Sequence, residues 1–280
     1  MHAHSEEEGA WCALSGAMLA VGPISVMMGG MFDCDSFEVW HAHGGALFQV
    51  PSAFGGPPRT GFAMTAHAYA GGALSIFVAG GNTPFGRDNR AMRSDDLGVT
   101  WSPAGEEWGA PWTPRSSAAI ALSPCGQQLT LTGGYAHSSE GALPRDVWSL
   151  NVHARQWRER CAFAPWSPRW GHSAVYASGA LLVMGGKTAR RSPVARWGAN
   201  ASCAALLADV WSSRDGGGSW TLLLRAAPWA PRFTSGLLLL PGGGTTDRAV
   251  ILGGMVSEDQ CVADAWATPD GAIWTPPTPL

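Results

Sequence analysis

Four arginines, each preceded by proline, recur along the chain: Pro58-Arg59, Pro114-Arg115, Pro168-Arg169 and Pro231-Arg232. Placed at equivalent points of a circular repeat, Arg59, Arg115, Arg169 and Arg232 could turn one positive ring toward an anionic ligand. The preferred reading is that they hold loops together through hydrogen bonds to carbonyls. A second cationic cluster is Lys187, Arg190, Arg191 and Arg196, with Trp197 beside the last of them and no acidic residue between Lys187 and Ala208. An aromatic next to arginine is the type of pair enriched in binding hot spots. Two histidine pairs, His2-Ala3-His4 and His41-Ala42-His43, could offer i and i+2 imidazoles from one face of a strand. No further ligand completes a metal site around them, so no metal and no cofactor are expected. The tyrosines are Tyr69, Tyr135 and Tyr176, too few and too scattered to single out a nucleophile or radical site.

The elements that carry these residues follow from a repeat. Five apolar runs end in a glycine pair, the second glycines falling at 30, 81, 134, 186 and 254, with steps of 51, 53, 52 and 68 residues. A period near fifty residues marks a repeat architecture. After each pair comes a loop and then an acidic-aliphatic-aromatic triplet: Glu38-Val39-Trp40, Asp146-Val147-Trp148, Asp209-Val210-Trp211 and Asp264-Ala265-Trp266. The second copy reads Arg90-Ala91-Met92 and has drifted. A second aromatic follows at Phe48, Trp101, Trp157, Trp220 and Trp274. Glycine at the end of a buried strand permits positive φ and close backbone approach.

On these motifs the chain, from about residue 10 onward, resembles the kelch repeat. The resemblance implies an all-β, kelch-type β-propeller of five recognisable four-stranded blades, with a single domain over 1–280 and blades near 10–50, 58–108, 114–164, 168–227 and 231–280. Two outer hairpins, Ser94 to Trp101 and Ser213 to Trp220, fit the Asp-box pattern, and Thr268 to Trp274 is a shortened relative. There Asp accepts bonds from turn amides, Gly takes the left-handed position and Trp packs beneath. Asp-boxes also occur in sialidases, where they are structural. A blade cannot bury both faces alone, so stacked neighbours must cover them. The periodic aromatics are expected between blades, and Trp112, Trp166 and Trp229 as pegs in the linking Pro-Trp-x-Pro-Arg segments.

Composition narrows the function. Charged residues are only 14%, net charge is −3, and every basic residue but Lys187 is arginine, which leaves no electrostatic footprint for nucleic acid. The apolar stretch from Ala13 to Met28 is interrupted by glycine, serine and proline and is too short for a membrane helix. The acidic, polar start does not look like a secretory signal, so a cytoplasmic location and free cysteine thiols are expected. Cys34, Cys203 and Cys261 lie in the same loop of their respective repeats and could pair only in an exported protein. The connection after the fourth glycine pair, Lys187 to Ala208, spans 22 residues against 7, 8, 11 and 9 in the others. Loops of that length are often functional. The kelch resemblance implies a non-catalytic scaffold binding a protein or peptide through its loops, an acidic one given the charge of this loop. The alternative is a carbohydrate-binding or sugar-modifying protein, similar to a sialic-acid mutarotase or galactose oxidase, that holds a small sugar at the arginine ring.

Overall fold

The computed structural model describes residues 17–21, 24–30, 37–43, 46–69, 73–105, 109–136, 143–189, 204–240 and 247–276. The described residues form strands and no α-helix. Four sheets have four strands each, every neighbouring pair antiparallel. The first sheet runs Ala17–Val21, Ile24–Gly30, Phe37–His43, Ala46–Val50. The second runs Ala63–Ala68, Leu74–Ala79, Ala91–Ser94, Ser102–Pro103. Ala119–Leu122, Gln128–Thr132, Val147–Asn151 and Gln156–Cys161 form the third. The fourth is Ser173–Ala177, Ala180–Met184, Val210–Ser213 and Thr221–Leu224. A fifth sheet has three strands, Gly236–Leu240, Arg248–Leu252 and Ala265–Thr268, and Thr275 bridges back to Ala267 at its edge.

The sheets stand in a β-propeller-like ring. The first strand of each sheet touches the first strand of the next, and Gly236–Leu240 also touches Ala17–Val21. Burial explains the continuous apolar runs. Ile76, Phe77, Val78 and Ala79 are all buried, as are Leu181, Leu182, Val183 and Met184, because these second strands are covered on both faces.

The linking tryptophans are the pegs of this packing. Trp112, Trp166 and Trp229 are buried and meet Trp157, Trp220 and Trp274 edge to face at 5.8, 5.9 and 5.7 Å. Phe54 does the same for Trp101 at 5.3 Å. Each tryptophan removes up to ~250 Å² from water. At ~25 cal/mol per Å² that is on the order of 4 to 6 kcal/mol before the entropy of ordering.

The outer turns stitch neighbouring sheets. Ser94 Oγ donates to Asp96, Asp96 accepts from the Thr100 amide at 2.8 Å, and Trp101 Nε1 donates to the Gly98 carbonyl at 2.9 Å. The turns at Asp215 and Asp270 repeat this pattern, with Trp220 and Trp274 bonded to the Gly217 and Gly271 carbonyls. Gly98, Gly217 and Gly271 have φ of +93°, +98° and +84°, and each packs against the preceding sheet, on Val39, Val147 and Leu182.

Candidate functional site: the rim of the glycine-pair face

The residue after each Pro-Arg pair bridges to the residue after the glycine pair of the same sheet: Thr60 with Asn82, Ser116 with Tyr135, Trp170 with Lys187 and Phe233 with Met255. These bridges bring both sets of connections onto one face of the ring. Their backbones are joined around the ring as well. The Ser117 amide donates to the Gly61 carbonyl, Gly171 to Ser117 and Thr234 to Gly171, each at 2.7 to 2.8 Å. All four residues sit at positive φ, +58°, +51°, +61° and +52° in chain order.

The Pro-Arg arginines do not face this rim. Arg59, Arg115, Arg169 and Arg232 are 0% exposed. Arg115 forks onto Asp146 at 2.6 and 2.8 Å, and its Nη1 also donates to the Gly133 carbonyl at 2.9 Å. Arg169 treats Asp209 and Gly185 in the same way, and Arg232 treats Asp264 and Gly253. The Nε of each donates to the carbonyl two residues upstream, Thr113, Ser167 or Ala230. The carboxylate also accepts from the tryptophan of its own triplet, as Asp146 does from Trp148 at 2.8 Å. The guanidinium groups are therefore absorbed within the sheets, as in the structural reading of these arginines, and not turned as a positive ring toward a ligand: buried charges must be paired, and the acids of the triplets are the partners. Arg232 and Trp266 together hold the Asp264 carboxyl down to about 2.

The drifted second repeat keeps this lock by another route. Asp88, two residues before Arg90, bonds Arg59 at 2.9 Å and also takes Arg90 Nη2 at 2.6 Å. Burial alone would raise the Asp88 carboxyl, but the bonds from Arg90 and the charge of Arg59 hold it below its ordinary value. Arg59 has no partner for Nε among the described residues, and burial lowers its guanidinium to about 10 against the pull of Asp88.

Lys187 is on the rim. Its ammonium lies 5.8 Å from the Trp170 ring centre and 5.0 Å from that of Phe233, is 14% exposed, and is ion-paired with Glu258. Trp170 meets Tyr135 edge to face at 5.6 Å, and the Arg87 guanidinium stacks on Tyr135 at 4.5 Å. One continuous run thus crosses four sheets: Arg87, Tyr135, Trp170, Lys187, Phe233. Arg87 comes from a two-stranded hairpin, Asn82–Thr83 with Gly86–Arg87, whose tip residue Phe85 is 90% exposed. Thr83 Oγ1 fastens that turn by donating to the Gly86 carbonyl at 2.7 Å and accepting from the Phe85 amide at 3.2 Å.

The long fourth connection leaves the same rim as an antiparallel ribbon, Lys187–Ala189 with Ala204–Leu206. Arg190, Arg191, Arg196 and Trp197 lie outside the described residues. So do His2 and His4, while His41 Nε2 is bonded to the Leu97 carbonyl of the neighbouring sheet at 2.8 Å. No group of metal-ligating side chains occurs among the described residues, and no helix among them is long and apolar enough to cross a membrane. Cys125, Cys161 and Cys261 are free thiols; Cys34 and Cys203 lie outside the described residues.

Reading the repeat singles out what recurs, whereas Arg87, Tyr135, Trp170 and Phe233 occupy positions that vary from repeat to repeat. Aligning the residues after Pro-Arg and after Gly-Gly would have set Trp170 beside Lys187, but not Arg87 on Tyr135. Compared with known proteins, the chain matches no family model and no curated protein sequence.

Proposed function

We propose that this chain is a kelch-type β-propeller of five blades acting as a non-catalytic scaffold that binds a protein or peptide through the loops of its glycine-pair face. The glycine pairs, the Pro-Arg to triplet-acid locks and the contact of Gly236–Leu240 with Ala17–Val21 support the architecture. Fold does not fix function, so the functional reading rests on one observation. The connections that depart from the repeat, the Phe85 hairpin and the ribbon from Lys187, project from one face around an aromatic-cation rim. An exposed aromatic such as Phe85 on a rigid frame is suited to partner contact. The alternative, a sugar held by the Pro-Arg ring, is disfavoured because those guanidinium groups are spent on Asp88, Asp146, Asp209 and Asp264.

The test is a comparative pull-down from lysate. The baits are the intact chain, a chain with residues 190–203 replaced by a short Gly/Ser turn, and Phe85→Ala. A partner held by the first and lost by either of the others supports the scaffold. Capture of nothing, together with saturable binding of a sugar, overturns it.

A further inference from the structure

We infer that the rim run from Arg87 to Phe233 is a binding site for an acidic peptide, and that Glu258 occupies its Lys187 end in the free protein. This rests on the scaffold reading above and names its site and ligand. Two cations are held in place by aromatic faces: Arg87 by Tyr135, and Lys187 by Trp170 and Phe233. A ring face attracts a cation without neutralising it, and immobilising the side chain in advance lowers the cost of binding.

The two ends differ in what they already hold. The Arg87 side chain has no hydrogen bond or ion pair to another described residue, its Nε included, while its backbone pairs with Asn82. The charge of the guanidinium over Tyr135 is thus not neutralised by a described carboxylate. Lys187 does carry a carboxylate, that of Glu258, which is 73% exposed and stands on a short turn closed by Val256 and Gln260. An ion pair with one so exposed partner is worth little, so a ligand carboxylate can replace it. Glu258 shows that this end accepts a carboxylate.

The spacing favours a peptide. Arg87 and Lys187 are separated by two rings through contacts of 4.5, 5.6 and 5.8 Å. An extended chain advancing ~3.3 Å per residue covers that distance with at most about five residues. The ligand is therefore a segment with two acidic side chains within such a stretch. A stacked sugar is the weaker fit, because Tyr135 and Trp170 already carry cations over ring faces a sugar would use.

The experiment is fluorescence anisotropy of a labelled hexaglutamate peptide with the full chain at low salt, with hexaglutamine and an oligogalacturonate as competitors. The parent binds hexaglutamate and hexaglutamine does not compete. Arg87→Ala and Lys187→Ala each weaken binding by about tenfold, the scale of one lost charged contact, and Lys187→Arg retains it. Glu258→Gln tightens binding, which a purely structural Glu258 would not do. The melting of each variant is compared with that of the parent, and Lys187→Arg and Glu258→Gln carry the test should an alanine variant unfold. No effect of Glu258→Gln together with unchanged affinity in Arg87→Ala overturns the proposal, as does displacement by oligogalacturonate but not by unlabelled hexaglutamate. A lysate partner still lost on trimming 190–203, but held equally by Arg87→Ala and Lys187→Ala, overturns this site and leaves the scaffold standing.

Discussion

The Arg169 carbonyl of the fourth repeat accepts the Gly134 amide of the third at 2.9 Å, and it stands 2.7 Å from where a Cβ on Gly133 would lie. The Arg115 carbonyl bears the same relation to Gly81 and Gly80, and that of Arg232 to Gly186 and Gly185. The glycine pair is thus the place where one sheet is hydrogen-bonded to the arginine backbone of the next.

Gly133→Ala should be costly on two counts. Its φ of +53° is unfavourable for any L side chain, and the atom it would strike is backbone. We expect a loss of about 2 to 4 kcal/mol, since strain of about 1 to 3 kcal/mol adds to the clash. Gly179→Ala, at φ +72° with open space around it, pays only the conformational part. Denaturant midpoints at constant slope would separate the two.

Asp88→Asn should destabilise far more than Asp95→Asn. Asp88 is the carboxylate for Arg59, which has no exposed surface, whereas Asp95 is exposed and pairs with a half-buried Arg93. Breaking a buried pair by removing one partner costs about 3 to 5 kcal/mol, and an exposed pair contributes about 0 to 1. Equal midpoints for the two variants would show that Asp88 does not replace the missing acid of its triplet.

Thr234→Gly is expected to stabilise the protein. Equivalent positions in two other repeats are Gly61 and Gly171, and Thr234 adopts the same left-handed φ, +52°, with a β-branched side chain. A left-handed L-residue costs roughly 1 to 2 kcal/mol, part of which the greater freedom of glycine in the unfolded chain returns. A gain of about 0.5 to 1 kcal/mol by chemical denaturation is the expected net effect. A loss would mean that the Thr234 Oγ1 contact with its neighbouring Phe233 carbonyl outweighs the strain.

His172 should make stability fall on acidification. Burial, with the nearby charge of Arg169, lowers its imidazole from 6.5 to about 3. Between those values the unfolded chain binds a proton that the folded chain refuses, so unfolding free energy decreases as pH falls. This contribution is complete above about pH 6.5 and is lost progressively down to about pH 3. His172→Gln, which can still reach Thr132 Oγ1, now 2.8 Å from His172 Nε2, should flatten the slope in that window. An unchanged slope would place the acid sensitivity elsewhere.

Much of this fold is legible in the sequence because propeller packing writes itself at fixed offsets. Trp112 and Trp157 could be assigned to packing since tryptophan recurs at the first position in three linkers and at the second in four repeats. The same logic hides the rest. Asp88 does the work of an acid from the wrong offset, so its triplet looked merely degraded. The arginines suggested a ligand because charge is conspicuous in a sequence while the carboxylate paired with it, 31 residues away for Arg115 and Asp146, is not. The rim was least legible: Arg87 and Tyr135 meet across two repeats, and Glu258 reaches Lys187 from 71 residues away. The base of the long connection is a ribbon whose strands have three residues each, too short to show a pattern in the sequence.

The arginine locks also bear on what constitutes a module. The side chain of Arg115 closes on Asp146 and Gly133 within its own sheet, while its backbone clasps Gly81 and Asp88 of the preceding one. A segment cut from Gly80 to Gly134 would keep the backbone clasp but leave behind Asp146, the carboxylate of the side-chain lock. Sequence periodicity and mechanical integrity are out of phase by about one linking segment, so excising or grafting a repeat would keep both clasps only if the cut were made ahead of the second-last proline of each linker and the neighbouring glycine pair travelled with it.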